Sequence, residues 1–160
     1  MMGEPRHPDI LVLVGTQTGN AELVADAVAA RLGELGFTCH VLDMADAYPE
    51  MLGEYRQLVA AVCTWAEGTY PDNALDFTAG LDTLAPALGH LAFAVVGLGD
   101  RGYEPYYQTA AERLRDRLSA LGAREATAML EIDGAPAPAH LARAREWTSG
   151  LASRFVIRDE

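Results

Sequence analysis

Apolar runs of strand length alternate with segments of helical periodicity along the whole chain. The first run, residues 9–15, is continuously aliphatic, as is typical of a strand buried on both faces of a sheet. Residues 21–35 carry valine and leucine at three- to four-residue spacing, which predicts an amphipathic helix that ends at Gly36. Strands are predicted at residues 9–15, 37–43, 58–64, 91–98 and 125–132, and helices at residues 21–35, 50–55, 74–88, from the loop 99–107 to residue 121, and 139–155.

This alternation predicts an α/β fold, a doubly wound five-stranded parallel sheet with helices on both faces. In such sheets ligands bind beyond the carboxyl ends of the strands, where loops 16–20, 65–73 and 99–107 are expected. The length of 160 residues suits one domain. We expect it to span residues 9–156, between a flexible N-terminus at residues 1–8 and a C-terminal tail at residues 157–160.

Charge narrows the range of partners. The net charge is −11 and the chain contains no lysine, so nucleic acid and anionic membranes are poor partners. Residues 34–82 carry nine carboxylates and one arginine, a surface that is either simply solvated or a docking face for a basic protein. The chain has no apolar run of membrane-spanning length and no signal-peptide pattern near residue 1, which predicts a soluble cytoplasmic protein.

The loop Thr16-Gln17-Thr18-Gly19-Asn20 joins the first strand to the first helix, a geometry that suits phosphate binding by backbone N–H groups and the positive helix end. The chain lacks a G-x-G-x-x-G turn here and lacks G-x-x-x-x-G-K-[ST], so neither a dinucleotide nor a nucleoside triphosphate is supported. A single phosphate monoester fits, although Thr and Asn are also ordinary N-cap residues. Trp65 and Tyr103 follow the third and fourth strands, where the pair could enclose a flat heterocycle.

Three motifs resemble the FMN loops of flavodoxins: residues 16–22 (TQTGNAE), 64–74 (TWAEGTYPDNA) and 97–104 (GLGDRGYE). The resemblance extends from about residue 9 to residue 155 and is closest to the FMN domains of diflavin reductases and to small MioC-type flavodoxins. It implies the strand order 2-1-3-4-5, a short-chain flavodoxin without a long insertion in the fifth strand, and FMN as the cofactor. In that order Cys39 and Cys63 lie on either side of the first strand, about 10 Å apart and too far for a disulfide.

The resemblance also implies which residues bind FMN. Residues 16–20 would hold the phosphate, Trp65 and Tyr103 would flank the isoalloxazine, and residues 66–68 and 98–100 would contact the edge of the ring. Ala66 stands where many relatives have glycine. The predicted cofactor-binding residues are Thr16, Gln17, Thr18, Gly19, Asn20, Thr64, Trp65, Ala66, Glu67, Gly68, Leu98, Gly99, Asp100, Tyr103 and Tyr106. Histidines without ligand spacing predict no metal site.

The function implied is that of an FMN-dependent electron carrier. Electrons would come from a separate NAD(P)H-dependent reductase, because the turn after the first strand has no dinucleotide-binding motif, and would pass to a redox enzyme that docks on the acidic face near the flavin. No residue set resembles a catalytic dyad or triad, and a monomer is expected.

Three alternatives stay open. An FMN-dependent NAD(P)H:quinone or nitro-compound reductase would have the same fold. A phosphoacceptor signalling domain would need an aspartate at the end of the third strand, where the chain has Cys63-Thr64-Trp65, and a late lysine, which the chain lacks. An interaction module could keep the fold without FMN.

Overall fold

A computed structural model describes residues 7–157, which form a parallel sheet with helices on both faces. The order β2-β1-β3-β4-β5, with β6 also paired to β4, confirms the predicted fold class and order. Residues 1–6 of the expected N-terminal segment and 158–160 of the expected tail lie outside the described residues. The strands are β1 Ile10–Gly15, β2 Cys39–Asp43, β3 Gln57–Cys63, β4 Ala92–Gly99, β5 Arg124–Glu125 and β6 Leu130–Asp133, and the helices are α1 Asn20–Glu34, α2 Leu75–Leu84, α3 Thr109–Ala120 and α4 Pro138–Ala152.

The aliphatic runs form strands because both faces of the sheet are covered. Val12 and Val59 face one core, which α1 and α4 close, whereas Leu13 and Phe93 face a second core under α2 and α3. Side chains that alternate between two buried layers need no polar partner on either face, and the strands therefore read as continuous apolar runs.

The predicted continuous fifth strand at residues 125–132 is wrong in detail, because two short segments replace it. β5 pairs with the start of β4, and β6 pairs with its end at Val96–Gly99. Between them the chain leaves the ladder, and the indole N–H of Trp147 donates to the carbonyl oxygen of Ala128 at 2.9 Å. Helix α4 thus supplies a hydrogen bond that a neighbouring strand would otherwise provide.

Two helical predictions also need correction. Helix α2 ends at Leu84 rather than residue 88, because Ala85 adopts φ 46° and Pro86 follows it. The short helix predicted at residues 50–55 is a 3₁₀ segment, Pro49–Glu54. Further 3₁₀ turns occupy Met44–Asp46, Asp72–Ala74 and Arg101–Tyr103.

The two cysteines lie in β2 and β3, on opposite sides of β1, and both are free thiols, as predicted. Burial raises the pKa of Cys39 to about 11, and the nearby Asp9 carboxylate contributes in the same direction. No helix within residues 7–157 is long and apolar enough to cross a membrane.

Candidate functional site

A cavity of about 510 Å³ lies at the carboxyl ends of β1, β3, β4 and β6. Its volume falls in the usual range for small-molecule sites. The residues that line it are Gln17, Thr18, Asn20, Cys63, Thr64, Trp65, Ala66, Leu98, Gly99, Asp100, Tyr103, Tyr106, Tyr107, Gly134 and Ala135. All three predicted loops therefore meet at one site, together with a fourth segment that follows β6.

The loop after β1 contributes neutral hydrogen-bond donors to the cavity. Gly19 adopts φ 90° and turns the chain into α1, and its N–H donates to the Oγ1 of Thr16 at 2.9 Å. Asn20, the first residue of α1, lines the cavity, so the N–H groups that begin this helix lie at the site. This end of the cavity suits an anion held by N–H groups and the helix dipole.

The loop after β1 is also tied to the end of the loop after β3. The Gln17 amide exchanges two bonds with Asp72, from Nε2 to Oδ2 at 3.2 Å and from the Asp72 N–H to Oε1 at 2.9 Å. The N–H of Thr16 donates to Oδ1 of Asn73 at 2.8 Å. The Gln17 side chain therefore holds the loop after β1 and the end of the loop after β3 together.

The loop after β3 begins with a small closed turn that displays Trp65. The N–H groups of Trp65 and Thr69 each donate to the other residue's carbonyl oxygen at 2.8 Å. Within the turn, Ala66 adopts φ 48° and Gly68 adopts φ 87°. Ala66 therefore occupies a left-handed conformation that costs alanine about 1 kcal/mol more than glycine. The Trp65 side chain is 42% exposed at the mouth of the cavity.

The loop after β4 forms a turn whose aromatic side chains line the cavity. Asp100 caps the turn by accepting the N–H of Gly102 at 2.8 Å. Tyr103 is 65% exposed and Tyr106 38% exposed, and both border the cavity. Exposed aromatic rings of this kind offer flat apolar surface to a planar ligand.

Cys63 lines the cavity below the loop after β1, with its Sγ atom 3.9 Å from the Thr16 hydroxyl. Burial raises the pKa of Cys63, and hydrogen bonding from Thr16 and from the backbone of Ala21 and Gln17 offsets this in part. The thiol is therefore protonated at neutral pH and acts as a small, weakly polar part of the cavity floor.

Most of the predicted site residues line the cavity, and Thr16, Gly19, Glu67 and Gly68 do not. Thr16 and Gly19 bond to each other and shape the loop from within, whereas Gly68 packs near Tyr106 and Thr109. The prediction missed four lining residues: Cys63, Tyr107, Gly134 and Ala135. Gly134 and Ala135 follow β6 at the same sheet edge, so the rule that ligands bind beyond the carboxyl ends of strands could have found them.

The donor set fits a phosphate-bearing planar molecule. Neutral N–H and hydroxyl donors gather in the loop after β1, and aromatic side chains from the other two loops border the same cavity. Within residues 7–157 no group of His, Cys, Asp or Glu is arranged to hold a metal ion.

Comparison with known proteins agrees with this chemistry. The sequence profile of the flavodoxin family matches residues 12–147. The chain is 40% identical over 126 residues to the sulfite reductase [NADPH] flavoprotein alpha-component of Thiocapsa roseopersicina, covering 78% of this chain and 24% of that protein. It is 39% identical over 149 residues to NADPH-dependent diflavin oxidoreductase 1 of Emericella nidulans, covering 91% of this chain and 21% of that one.

The chain thus spans less than a quarter of the length of these curated relatives. Among solved structures, oxidised flavodoxin 1 from Bacillus cereus superposes with a TM-score of 0.83 at 23% identity, covering 92% of this chain and 99% of that one, and so shares its fold. With the profile matching most of the chain and the three loops meeting at one cavity, the protein belongs to the flavodoxin family.

Proposed function

We propose that the protein binds FMN in this cavity and acts as an electron carrier. The observation that carries the proposal is the cavity itself, which joins a neutral phosphate-binding loop to the exposed rings of Trp65 and Tyr103. FMN is the cofactor that membership of the flavodoxin family implies. When bound, FMN supplies one- and two-electron redox chemistry, while the protein supplies binding, orientation and electrostatics.

The loop after β1 would hold the phosphate through backbone N–H groups, the Thr18 hydroxyl and the N-terminus of α1. Trp65 and Tyr103 would contact the isoalloxazine, and the backbone at residues 66–68 and 98–100 would lie at its edge. Thr16 and Gly19 would act indirectly, by holding the loop in shape. No charged side chain belongs to residues 16–20, so the affinity for phosphate would depend on N–H geometry.

Carboxylates near the cavity would make negative charge on the cofactor less favourable. Asp100 lines the cavity, and Glu67 and Asp72 belong to the loop after β3. At an effective dielectric constant near 20, each would oppose an added electron by roughly 1 kcal/mol at a separation of about 15 Å, and by more at shorter range. The expected result is a lowered reduction potential.

The partners we propose are an NADPH-dependent flavoprotein reductase as donor and a redox enzyme as acceptor. The curated relatives that match this chain are much longer NADPH-dependent flavoproteins. The acidic surface at residues 34–82 would meet a basic patch on the acceptor. We propose a monomer in the cytoplasm, where free thiols such as Cys39 and Cys63 stay reduced.

Titration of the apoprotein with FMN, followed by flavin fluorescence, tests the cofactor assignment. We expect tight binding that Thr18→Ala weakens, with little change in the urea unfolding of the apoprotein. Full FMN affinity in the double variant Thr16→Ala/Thr18→Ala would contradict the assignment of this loop.

Anaerobic reduction tests the carrier role. NADPH should reduce the FMN-loaded protein only when a flavoprotein reductase is present. Rapid NADPH oxidation by the protein alone would instead favour a quinone or nitro-compound reductase.

A further inference from the structure

Asn73 joins three parts of the chain that meet beside the loop after β1. Its Oδ1 accepts the N–H of Thr16 at 2.8 Å, and its Nδ2 donates to the carbonyl oxygen of Val14 at 3.3 Å and to Oδ1 of Asp43 at 2.9 Å. A flipped amide would place Nδ2 against an N–H group and Oδ1 against two acceptors, so the orientation is unambiguous. Three of the four hydrogen bonds available to this amide are used, all with distant residues.

The neighbours of Asn73 reinforce this contact. Asp72 holds the Gln17 side chain through two hydrogen bonds. Ala74 is fully buried, and its Cβ would lie only 3.3 Å from a Cβ built on Gly15. The segment Asp72–Ala74 therefore lies along residues 15–17 and contacts each of them.

We propose that Asn73 is a positioning residue for phosphate binding, an inference that rests on the proposed FMN function. Asn73 does not line the cavity and so would not touch the cofactor. It acts through the peptide between Gly15 and Thr16, whose N–H it holds immediately before the residues that would bind phosphate. Neutral N–H donors bind an anion well only when they point at it together. The direction in which the loop holds each N–H group therefore determines how much that group contributes to phosphate affinity.

Comparison of FMN with riboflavin, which lacks the phosphate, isolates this role. In Asn73→Ala we expect the dissociation constant of FMN to rise about 10-fold, in line with the loss of hydrogen bonds at partly buried groups. The dissociation constant of riboflavin should stay close to the wild-type value, because the aromatic walls are unchanged. Equal losses for the two ligands, or no loss for FMN, would overturn the proposal.

Asp76→Ala is the matched control. Asp76 is exposed in the first turn of α2, the helix that directly follows the 3₁₀ turn Asp72–Ala74, so its removal perturbs that helix start without removing a bond to residues 14–17. We expect an unchanged ratio of riboflavin to FMN dissociation constants in this variant. A change in that ratio as large as in Asn73→Ala would show that general loosening of α2 is sufficient, and would overturn the role of Asn73.

An exchange of partners provides a second variant with the wild-type net charge. In wild type the Nδ2 of Asn73 lies 2.9 Å from Oδ1 of Asp43. Asn73→Asp alone places a second carboxylate at this contact, and FMN affinity should fall by at least about 10-fold. Adding Asp43→Asn removes the repulsion between the two carboxylates and should recover FMN affinity several-fold. A double variant no better than Asn73→Asp would count against the proposal.

These outcomes are separate from failure of the proposed function. If wild type binds FMN no more tightly than riboflavin, the phosphate assignment itself is wrong. If wild type prefers FMN and every Asn73 variant keeps the same preference, the function stands and the positioning role of Asn73 is overturned.

Discussion

The loop after β1 and the carboxyl end of β4 both contribute to the cavity, but glycine serves a different purpose in each. Gly19 adopts φ 90°, and a Cβ added there would have no atom within 4 Å. At Gly99 a Cβ would lie 1.6 Å from the carbonyl oxygen of Tyr107. The first glycine is needed for backbone conformation, and the second for space between two backbone segments. The turn at Gly19 is therefore determined by backbone torsion angles, and the end of β4 at Gly99 by close packing against the backbone of Tyr107.

The largest effect should come from Gly99→Ala. The clash with the backbone of Tyr107 cannot be relieved by rotating a side chain, and we expect a loss of about 3 kcal/mol or more in the free energy of unfolding. Urea unfolding of the apoprotein measures it. Gly150→Ala is the control, because Gly150 lies in α4 with no atom within 4 Å of an added Cβ. That variant should gain about 0.5 to 1 kcal/mol, and a comparably mild result for Gly99→Ala would refute the packing argument.

Tyr103→Ser should act on binding rather than on folding. The ring is 65% exposed, so its removal should hardly change unfolding, but FMN affinity should fall about 10-fold through loss of aromatic contact area. Flavin fluorescence titration provides the dissociation constant. Tyr48, 52% exposed and absent from the cavity lining, is the matched control for a surface tyrosine. If Tyr48→Ser and Tyr103→Ser bind FMN with equal affinity, Tyr103 does not contact the cofactor.

Gly19→Ala should cost about 1 kcal/mol of unfolding free energy, the penalty for placing a Cβ in a left-handed conformation. The contrast with Gly99→Ala tests the comparison directly, because space is available at Gly19. Gly33→Ala serves as reference, since Gly33 lies within α1 with open space around it. If Gly19→Ala is as stable as Gly33→Ala, the backbone conformation of this loop is not what requires glycine.

The smallest effect should be electrostatic. Glu67→Gln and Asp100→Asn each remove one carboxylate from the loops around the cavity, and each should raise the reduction potential of the FMN-loaded protein by about 40 mV. Anaerobic redox titration measures the change. Glu125→Gln should have no effect, because β5 pairs with the start of β4, at the opposite edge of the sheet. Unchanged potentials in both site variants would show that solvent screens these charges.

The sequence alone was sufficient for the fold class and for the sheet edge where the three loops meet. Continuous aliphatic runs and helical spacing determined the strands, the helices and the edge where the loops meet, because burial on both faces of a sheet leaves a clear hydrophobic pattern. Trp65, Tyr103 and residues 16–20 were predicted because each directly follows a buried strand, and resemblance to flavodoxins identified the cofactor. A local sequence pattern predicts secondary structure wherever consecutive residues lie in the same environment, as in a strand that is buried on both faces.

Only the tertiary structure decided which of these residues face the cavity and what holds them there. Asn73 lies 57 residues from Thr16 in the chain, and no local pattern predicts that their hydrogen bond exists. Trp147 of α4 donates to Ala128 in the gap between β5 and β6, and Gly134 and Ala135, which follow β6, line the cavity. Thr16, predicted to bind phosphate, lies outside the cavity lining, and its Oγ1 accepts the N–H of Gly19. Such contacts arise from packing between distant segments, whose geometry is set only when the sheet and helices have assembled.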